Sequence, residues 1–203
     1  MKTGKFITLE GVDGAGKSTH LQWIADQLRV AGRELVVTRE PGGTPLAEKL
    51  RALLLAEAMD PLTETLLMFA ARADHVRRLI APALERGAWV ICDRFTDATL
   101  AYQGEGKGVP KKVIDSLAQA THPGLIPDRT LVFDCRYEVS RQRLSRVGRP
   151  LDRFEREDRE FFERVRAGYR NAAQLDPGRI KVIDSTGSEE DVKNLIKRHI
   201  ANV

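Results

Sequence analysis

One stretch limits the folds open to this chain more than any other: Gly11-Val-Asp-Gly-Ala-Gly-Lys-Ser18. It satisfies the spacing G-x-x-x-x-G-K-[ST] at every fixed position. The apolar run Phe6-Ile-Thr-Leu9 leads into it, and Leu21, Ile24, Ala25 and Leu28 follow at helical spacing. The context is therefore strand, glycine loop, helix. Gly11, Gly14 and Gly16 carry no Cβ, so backbone N–H groups can turn inward around a phosphate. A helix opening at Lys17 adds its unpaired N–H groups and its dipole. Lys17 is placed to reach β- and γ-phosphates, and the Ser18 hydroxyl to ligate Mg²⁺. Val12, Asp13, Ala15 and Thr19 complete the expected ATP cradle. The motif predicts nucleoside triphosphate binding and leaves the fate of the γ-phosphate open.

The rest of the chain alternates strand and helix signals without repeats or low-complexity linkers, as an α/β domain with a mostly parallel sheet does. Candidate strands are Phe6–Glu10, Glu34–Arg39, Ala88–Asp93, Arg129–Asp134 and Ile180–Asp184. Most read as continuous apolar runs, the pattern of strands covered on both faces. The first helix is expected to end near Ala31, with Gly32 just beyond it. Pro45 suits the first position of a second helix. A long helical segment runs from Pro61 to before Gly87, with a break expected around Pro82. Ser188 and Asp191 have the spacing of a capping box for the last helix. The 203 residues suit one domain spanning the whole chain.

Composition excludes several classes. No apolar run is long enough to span a membrane and the N-terminus lacks a signal-peptide pattern, so no membrane partner is expected and the expected compartment is the cytoplasm. The net charge of +4 is mild, and no basic block interleaves with aromatics, so no nucleic-acid partner is expected. Cys92 and Cys135 end apolar runs and read as buried free thiols. The segment Leu62–Leu84 is apolar around most of its surface, which demands burial on more than one side. Either it is a central helix of a monomer or its second face is a homodimer contact.

Three further motifs carry chemistry. Arg39-Glu-Pro-Gly-Gly-Thr-Pro45 is a loop at the carboxyl end of a strand, where open α/β sheets bind ligands. Trp89-Val-Ile-Cys-Asp-Arg-Phe95 ends an apolar strand in an acid and a base. Asp93 there suits the Mg²⁺ shell as a Walker-B acid, and Arg94 can grip a phosphate with its planar fork. Asp134 is a rival for the metal role but is expected instead to cap the following helix. Finally, arginines crowd the stretch Arg141–Phe154 around Gly148 and Pro150. That stretch is either a solvated basic face or a lid, at about 145–155, that brings Arg149 and Arg153 over the glycine loop to stabilise a transferring phosphoryl group. No guanine-recognition motif is present. No acid stands out as an obligatory general base. A phosphate-monoester acceptor needs none, because its second pKa is about 6.

Together Glu10–Thr19, Arg39–Thr44, Phe69-Ala-Ala-Arg72, Asp93–Thr99 and Ala101-Tyr-Gln-Gly104 resemble the bacterial thymidylate kinases, in the family's order and over essentially the whole chain. The resemblance implies a P-loop NTPase-type fold: a five-stranded parallel sheet with helices on both faces and an arginine-bearing lid. It also implies a homodimer and Mg²⁺-dependent transfer of the ATP γ-phosphate to dTMP, a step in dTTP biosynthesis. The alternative is a P-loop kinase of another nucleoside monophosphate or small metabolite. Carried over by position, Phe69 matches the aromatic that stacks on thymine and Arg72 the arginine at the base's carbonyl edge. Thr99 falls where relatives often have Ser or Asn touching the ring. Tyr102 matches the tyrosine that crowds the sugar's 2′ position, and Gln103 is expected to line the base pocket. Asp13 matches an acid near the acceptor's sugar, Arg94 the acceptor-phosphate clamp, and Glu40 lies in the loop beside that phosphate. The eukaryotic branch has an arginine inside its P-loop; here that place reads Asp13-Gly14-Ala15. The missing charge is expected from Arg149 and Arg153, as in the bacterial branch.

Overall fold

The computed structural model describes residues 4–201 and 203. Five strands form one parallel sheet in the order β2-β3-β1-β4-β5: β1 Phe6–Gly11, β2 Leu35–Arg39, β3 Trp89–Asp93, β4 Arg129–Asp134 and β5 Ile180–Asp184. Each observed strand begins and ends within one residue of its expected bounds. The helices are α1 Lys17–Val30, α2 Pro45–Ala56, α3 Pro61–His75, α4 Ala81–Glu85, α5 Thr96–Thr99, α6 Lys111–Thr121, α7 Tyr137–Leu144, α8 Arg159–Leu175 and α9 Glu189–Ile200. Two π-helical segments, Val76–Ile80 and Leu100–Gly106, join α3 to α4 and extend α5.

Side-chain alternation along β3 divides the core. Trp89 and Ile91 face a cluster with Ile24 of α1, Tyr169 of α8 and Ile196 of α9. Val90 and Cys92 face the other way, onto Val76, Ile80 and Ala83. The sheet is thus covered on both sides, which is why most of its strands read as apolar runs. Every residue of central β1 is buried.

Local signals place the helix ends. Thr44 caps α2, its Oγ1 accepting from Ala47 N at 3.3 Å, with Pro45 at the first position. Gly32 follows α1 with φ +73°, and Ser188 with Asp191 forms the capping box of α9. The helical path from Pro61 does not break at Pro82. Instead it widens into the π turn Val76–Ile80 just before that residue. Pro82 has no N–H to return to the preceding turn, and a π turn lets its ring clear the carbonyls there. A second correction concerns Asp134. It caps no helix: its carboxylate takes a two-pronged bond from Arg166 of α8, at 2.6 and 3.0 Å.

Register positions the site. Leu9 of β1 lies opposite Asp93 of β3, and Gly11 opposite Phe133 of β4. The glycine loop, the Asp93-Arg94 pair and the Arg39–Thr44 loop therefore leave the sheet at the same edge, its carboxyl end. No helix among the described residues is long and apolar enough to cross a membrane.

Candidate active site

Two cavities open at that edge. The first surrounds the glycine loop and is lined by Gly14, Ala15, Gly16, Lys17, Ser18 and Thr19, with Asp93, Arg143 and Arg149 facing them. The second is lined by Pro41, Met68, Arg72, Thr99, Tyr102, Gln103 and Phe154. Asp13, Glu40, Arg51, Arg94 and Asp152 line both, so the cavities meet at these side chains.

Within the loop, Gly11, Gly14 and Gly16 all have positive φ. A Cβ at Gly14 would stand 2.7 Å from Ser140 O, so the loop could not pack on α7 with any other residue there. Lys17 is buried and donates to the carbonyls of Gly11 and Val12 at 3.0 and 3.1 Å. Burial and then the Arg94 charge draw its ammonium below the usual lysine range. Asp93 Oδ1 is buried and has no hydrogen-bond partner among the described residues. An anionic oxygen so placed, in the same cavity as Ser18, suits a small hard cation.

Arg94 sits at the junction with φ +71°, the sole positive φ outside glycine among the described residues. Its Nη1 donates to Gly11 O and Tyr169 Oη, and its Nη2 to Asp13 Oδ1 and Tyr102 Oη. Burial alone would raise the Asp13 carboxyl; Arg94, Lys17 and Tyr102 together hold it below the usual range. The Tyr102 hydroxyl completes the triangle by donating to Asp13 Oδ2 at 2.8 Å.

A buried chain fixes the far wall. Thr38 Oγ1 meets His75 Nε2 at 2.7 Å, His75 Nδ1 meets Glu40 Oε1 at 2.9 Å, and Arg72 Nε donates to Glu40 Oε2 at 2.6 Å. Burial opposes the Glu40 charge, yet Arg72 and His75 keep its carboxyl below the usual range. Arg72 Nη2 donates to Phe95 O and Thr99 Oγ1. Its Nη1 is buried with no partner among the described residues, a guanidinium donor left unused on a residue that lines the second cavity.

Two expected residues lie elsewhere. Phe69 is 1 % exposed and packs with Val109 and Ile114. It also stacks on His122, with ring centroids 6.1 Å apart and planes 13° from parallel. Among the described residues it is not part of the cavity wall; its neighbour Met68 is. One helical step turns a side chain by about 100°, and α6 claims the phenylalanine. Arg153 lines neither cavity. It donates from Nε to Leu54 O at 2.5 Å and pairs through Nη1 with Glu64 at 2.5 Å. Arg149 does face the glycine loop, held by Glu155 at 2.7 and 2.8 Å.

Sequence reasoning missed Met68, Arg51, Arg143 and Phe154. Arg143 donates to Ser185 O at 2.6 Å and reaches Gly14 O at 3.4 Å. It stood in the basic stretch after β4, but spacing there did not separate it from its neighbours. Arg51 donates to Pro41 O at 3.0 Å, and its sequence surroundings on α2 carried no signal.

The family description "Thymidylate kinase" matches residues 9–196. The chain is 58% identical over 190 residues to the thymidylate kinase of Bordetella pertussis, covering 94% of this chain and 91% of that protein. It is 53% identical over 205 residues to the thymidylate kinase of Ralstonia nicotianae, covering 99% of this chain and 100% of that protein. Its fold is similar to the crystal structure of thymidylate kinase from Ehrlichia chaffeensis, with a TM-score of 0.78, 36% identity and 97% and 98% of the two chains covered.

Proposed function

The chain belongs to the thymidylate kinase family, and from that premise we propose that it transfers the γ-phosphoryl group of ATP to the phosphate of dTMP, giving dTDP for dTTP biosynthesis. The observation that carries this reading is the shared wall of the two cavities. Arg94 and Arg51 belong to both, so a donor on the glycine loop and an acceptor beside Arg72 bring their phosphates together at these two guanidinium groups.

The residues divide the work. The backbone of Gly11–Thr19 cradles the donor phosphates, and Lys17 follows the γ-phosphoryl oxygens as charge spreads over them. Arg94 takes the acceptor phosphate; Arg149 and Arg143 add charge from the opposite side. Because the acceptor is already ionised at neutral pH, catalysis is positioning and charge stabilisation, with no proton to remove first. The Nη1 donor of Arg72 recognises a base carbonyl, with Thr99 and Gln103 beside it. Met68 supplies the apolar face against the ring. Tyr102 closes the sugar side, favouring a deoxyribose.

The donor set fits Mg²⁺: the Ser18 hydroxyl and the Asp93 carboxylate would hold it with the nucleotide phosphates, and it would neutralise charge across the β and γ oxygens. We further propose a cytoplasmic homodimer. Leu62 and Leu66 of α3, one helical turn apart, and Leu46 and Leu53 of α2, two turns apart, are 43–51 % exposed, apolar side chains that a second copy of the chain would cover.

A coupled assay of ADP release across a panel of nucleoside monophosphates tests the acceptor. Release that depends on dTMP and is weak with other monophosphates is expected. Equal rates with an adenine or cytosine nucleotide would reassign the second cavity.

A further inference from the structure

Glu64 is buried at 0 % exposure in the first turn of α3, outside the cavities described above. A carboxylate so placed needs its charge compensated and its lone pairs filled. Three donors from two distant segments do this. Gln103 Nε2 reaches Oε1 at 2.7 Å; Lys107 Nζ reaches Oε2 at 2.9 Å and Arg153 Nη1 reaches it at 2.5 Å. Gln103 lines the acceptor cavity from the π-helical segment. Arg153 belongs to the irregular stretch between α7 and α8, and its neighbours Asp152 and Phe154 line the same cavity.

Phe154 depends on these cations for its seat. The Arg153 guanidinium lies 4.2 Å from its ring centroid and the Lys107 ammonium 4.8 Å. Tyr102 meets it edge-on at 6.1 Å. The bond from Arg153 Nε to Leu54 O adds the last turn of α2 to the same knot.

We propose that Glu64 is a positioning residue that couples the acceptor cavity to the lid: one carboxylate fixes Gln103 in the cavity floor and, through Arg153, holds Asp152 and Phe154 in its roof. The acceptor class rests on the reading above, that the second cavity takes a nucleoside monophosphate. Coupling of this kind is reciprocal: a ligand that needs floor and roof together also stabilises the closed lid. Arg153 then acts on acceptor binding, not on the transferring phosphoryl group.

The test uses the full-length protein and two readouts, steady-state kinetics and trypsin cleavage after Arg146, Arg153 and Arg156 followed by mass spectrometry. In Glu64→Gln the KM for dTMP is expected to rise about tenfold or more while the KM for ATP moves less than about twofold. Cleavage within the lid becomes faster, and dTMP no longer protects it. Arg153→Met cuts the same link from the other side, leaves Lys107 and Gln103 on Glu64, and is expected to give the same split if Glu64→Gln does not fold. A fall in kcat with an unchanged KM for dTMP in Arg153→Met would overturn the proposal, because it would place the guanidinium on the reacting group. So would an unchanged KM in both variants, or equal rises in both KM values. Wild-type protein showing no dTMP-dependent ADP release would defeat the acceptor reading itself. In that case trypsin protection by the acceptor that the panel identifies still decides the coupling.

Discussion

Arg94 donates from Nη2 to Asp13 Oδ1 at 2.6 Å, tying the residue after β3 to the loop after β1. The bond holds Arg94 in a left-handed backbone conformation that costs a side-chain-bearing residue about 1–2 kcal/mol. Gly11 O, Tyr102 and Tyr169 share the same guanidinium. Such strain persists where the surroundings over-determine it, and that happens most often at functional sites. Lysine cannot reproduce this fork. Arg94→Lys is therefore expected to lower kcat by about 10²-fold or more with ATP affinity retained. Stopped-flow binding and dTDP formation check the two halves separately; unchanged turnover would remove Arg94 from the reaction.

Adjacent residues on α3 should respond oppositely to truncation. Met68→Ala is expected to raise the KM for dTMP about tenfold with little loss of stability, since Met68 is half-buried beside the cavity. Phe69→Ala should destabilise the protein by about 3–5 kcal/mol, the cost of emptying a core aromatic site. Its effect on KM should be small in protein that remains folded. Urea denaturation and steady-state kinetics on both variants give the comparison.

Asp93→Asn keeps shape and removes charge. The Mg²⁺ concentration for half-maximal rate is expected to rise about tenfold to a hundredfold, with recovery at high Mg²⁺. A variant whose rate is equally low at every Mg²⁺ concentration would give Asp93 some other duty.

Glu10 supplies a pH signature. It is fully buried, accepting from Phe95 N at 2.7 Å and from Tyr169 Oη at 2.9 Å. Burial, reinforced by Asp97, pushes its carboxyl from 4.5 up to about 8. Between those two values the folded protein holds a proton that the unfolded chain has released. Stability contributed by this group is thus fully present below pH 4.5 and lost as pH rises through about 8. The slope is at most about 1.4 kcal/mol per pH unit. Glu10→Gln keeps the neutral form and should flatten that decline, so its advantage over the parent grows from pH 5 to pH 9 in chemical denaturation. A constant difference across that range would contradict the shift.

Local patterns made part of this molecule readable in advance. The glycine loop needs only spacing and two flanks, and Asp13–Thr19 line the cavity at its mouth, while Val12 packs into the core. Strand bounds came through because β3 is apolar on both faces and β1 is buried along its whole length. Phe69 was misplaced because helical spacing puts both i,i+3 and i,i+4 neighbours beside Arg72. Only the packing of Val109, Ile114 and His122 decides between Phe69 and Met68. Arg153 was misread for a similar reason. Its partner Glu64 lies far away in sequence, on another helix, and irregular backbone between α7 and α8 has no period from which to infer direction. Asp134 looked like a cap until Arg166, on α8, was seen to occupy its carboxylate.

Cys92 in β3 and Cys135 just after β4 are free and at most 1 % exposed, and burial drives the Cys92 thiol well above its ordinary range. Neither sulfur can meet a labelling reagent until the central strands part, because thiolate and access are both required. The native chain therefore carries its own clock for global opening. The rate at which a thiol-reactive dye is taken up, with and without nucleotides, reports how often the whole sheet comes undone, with no label to engineer.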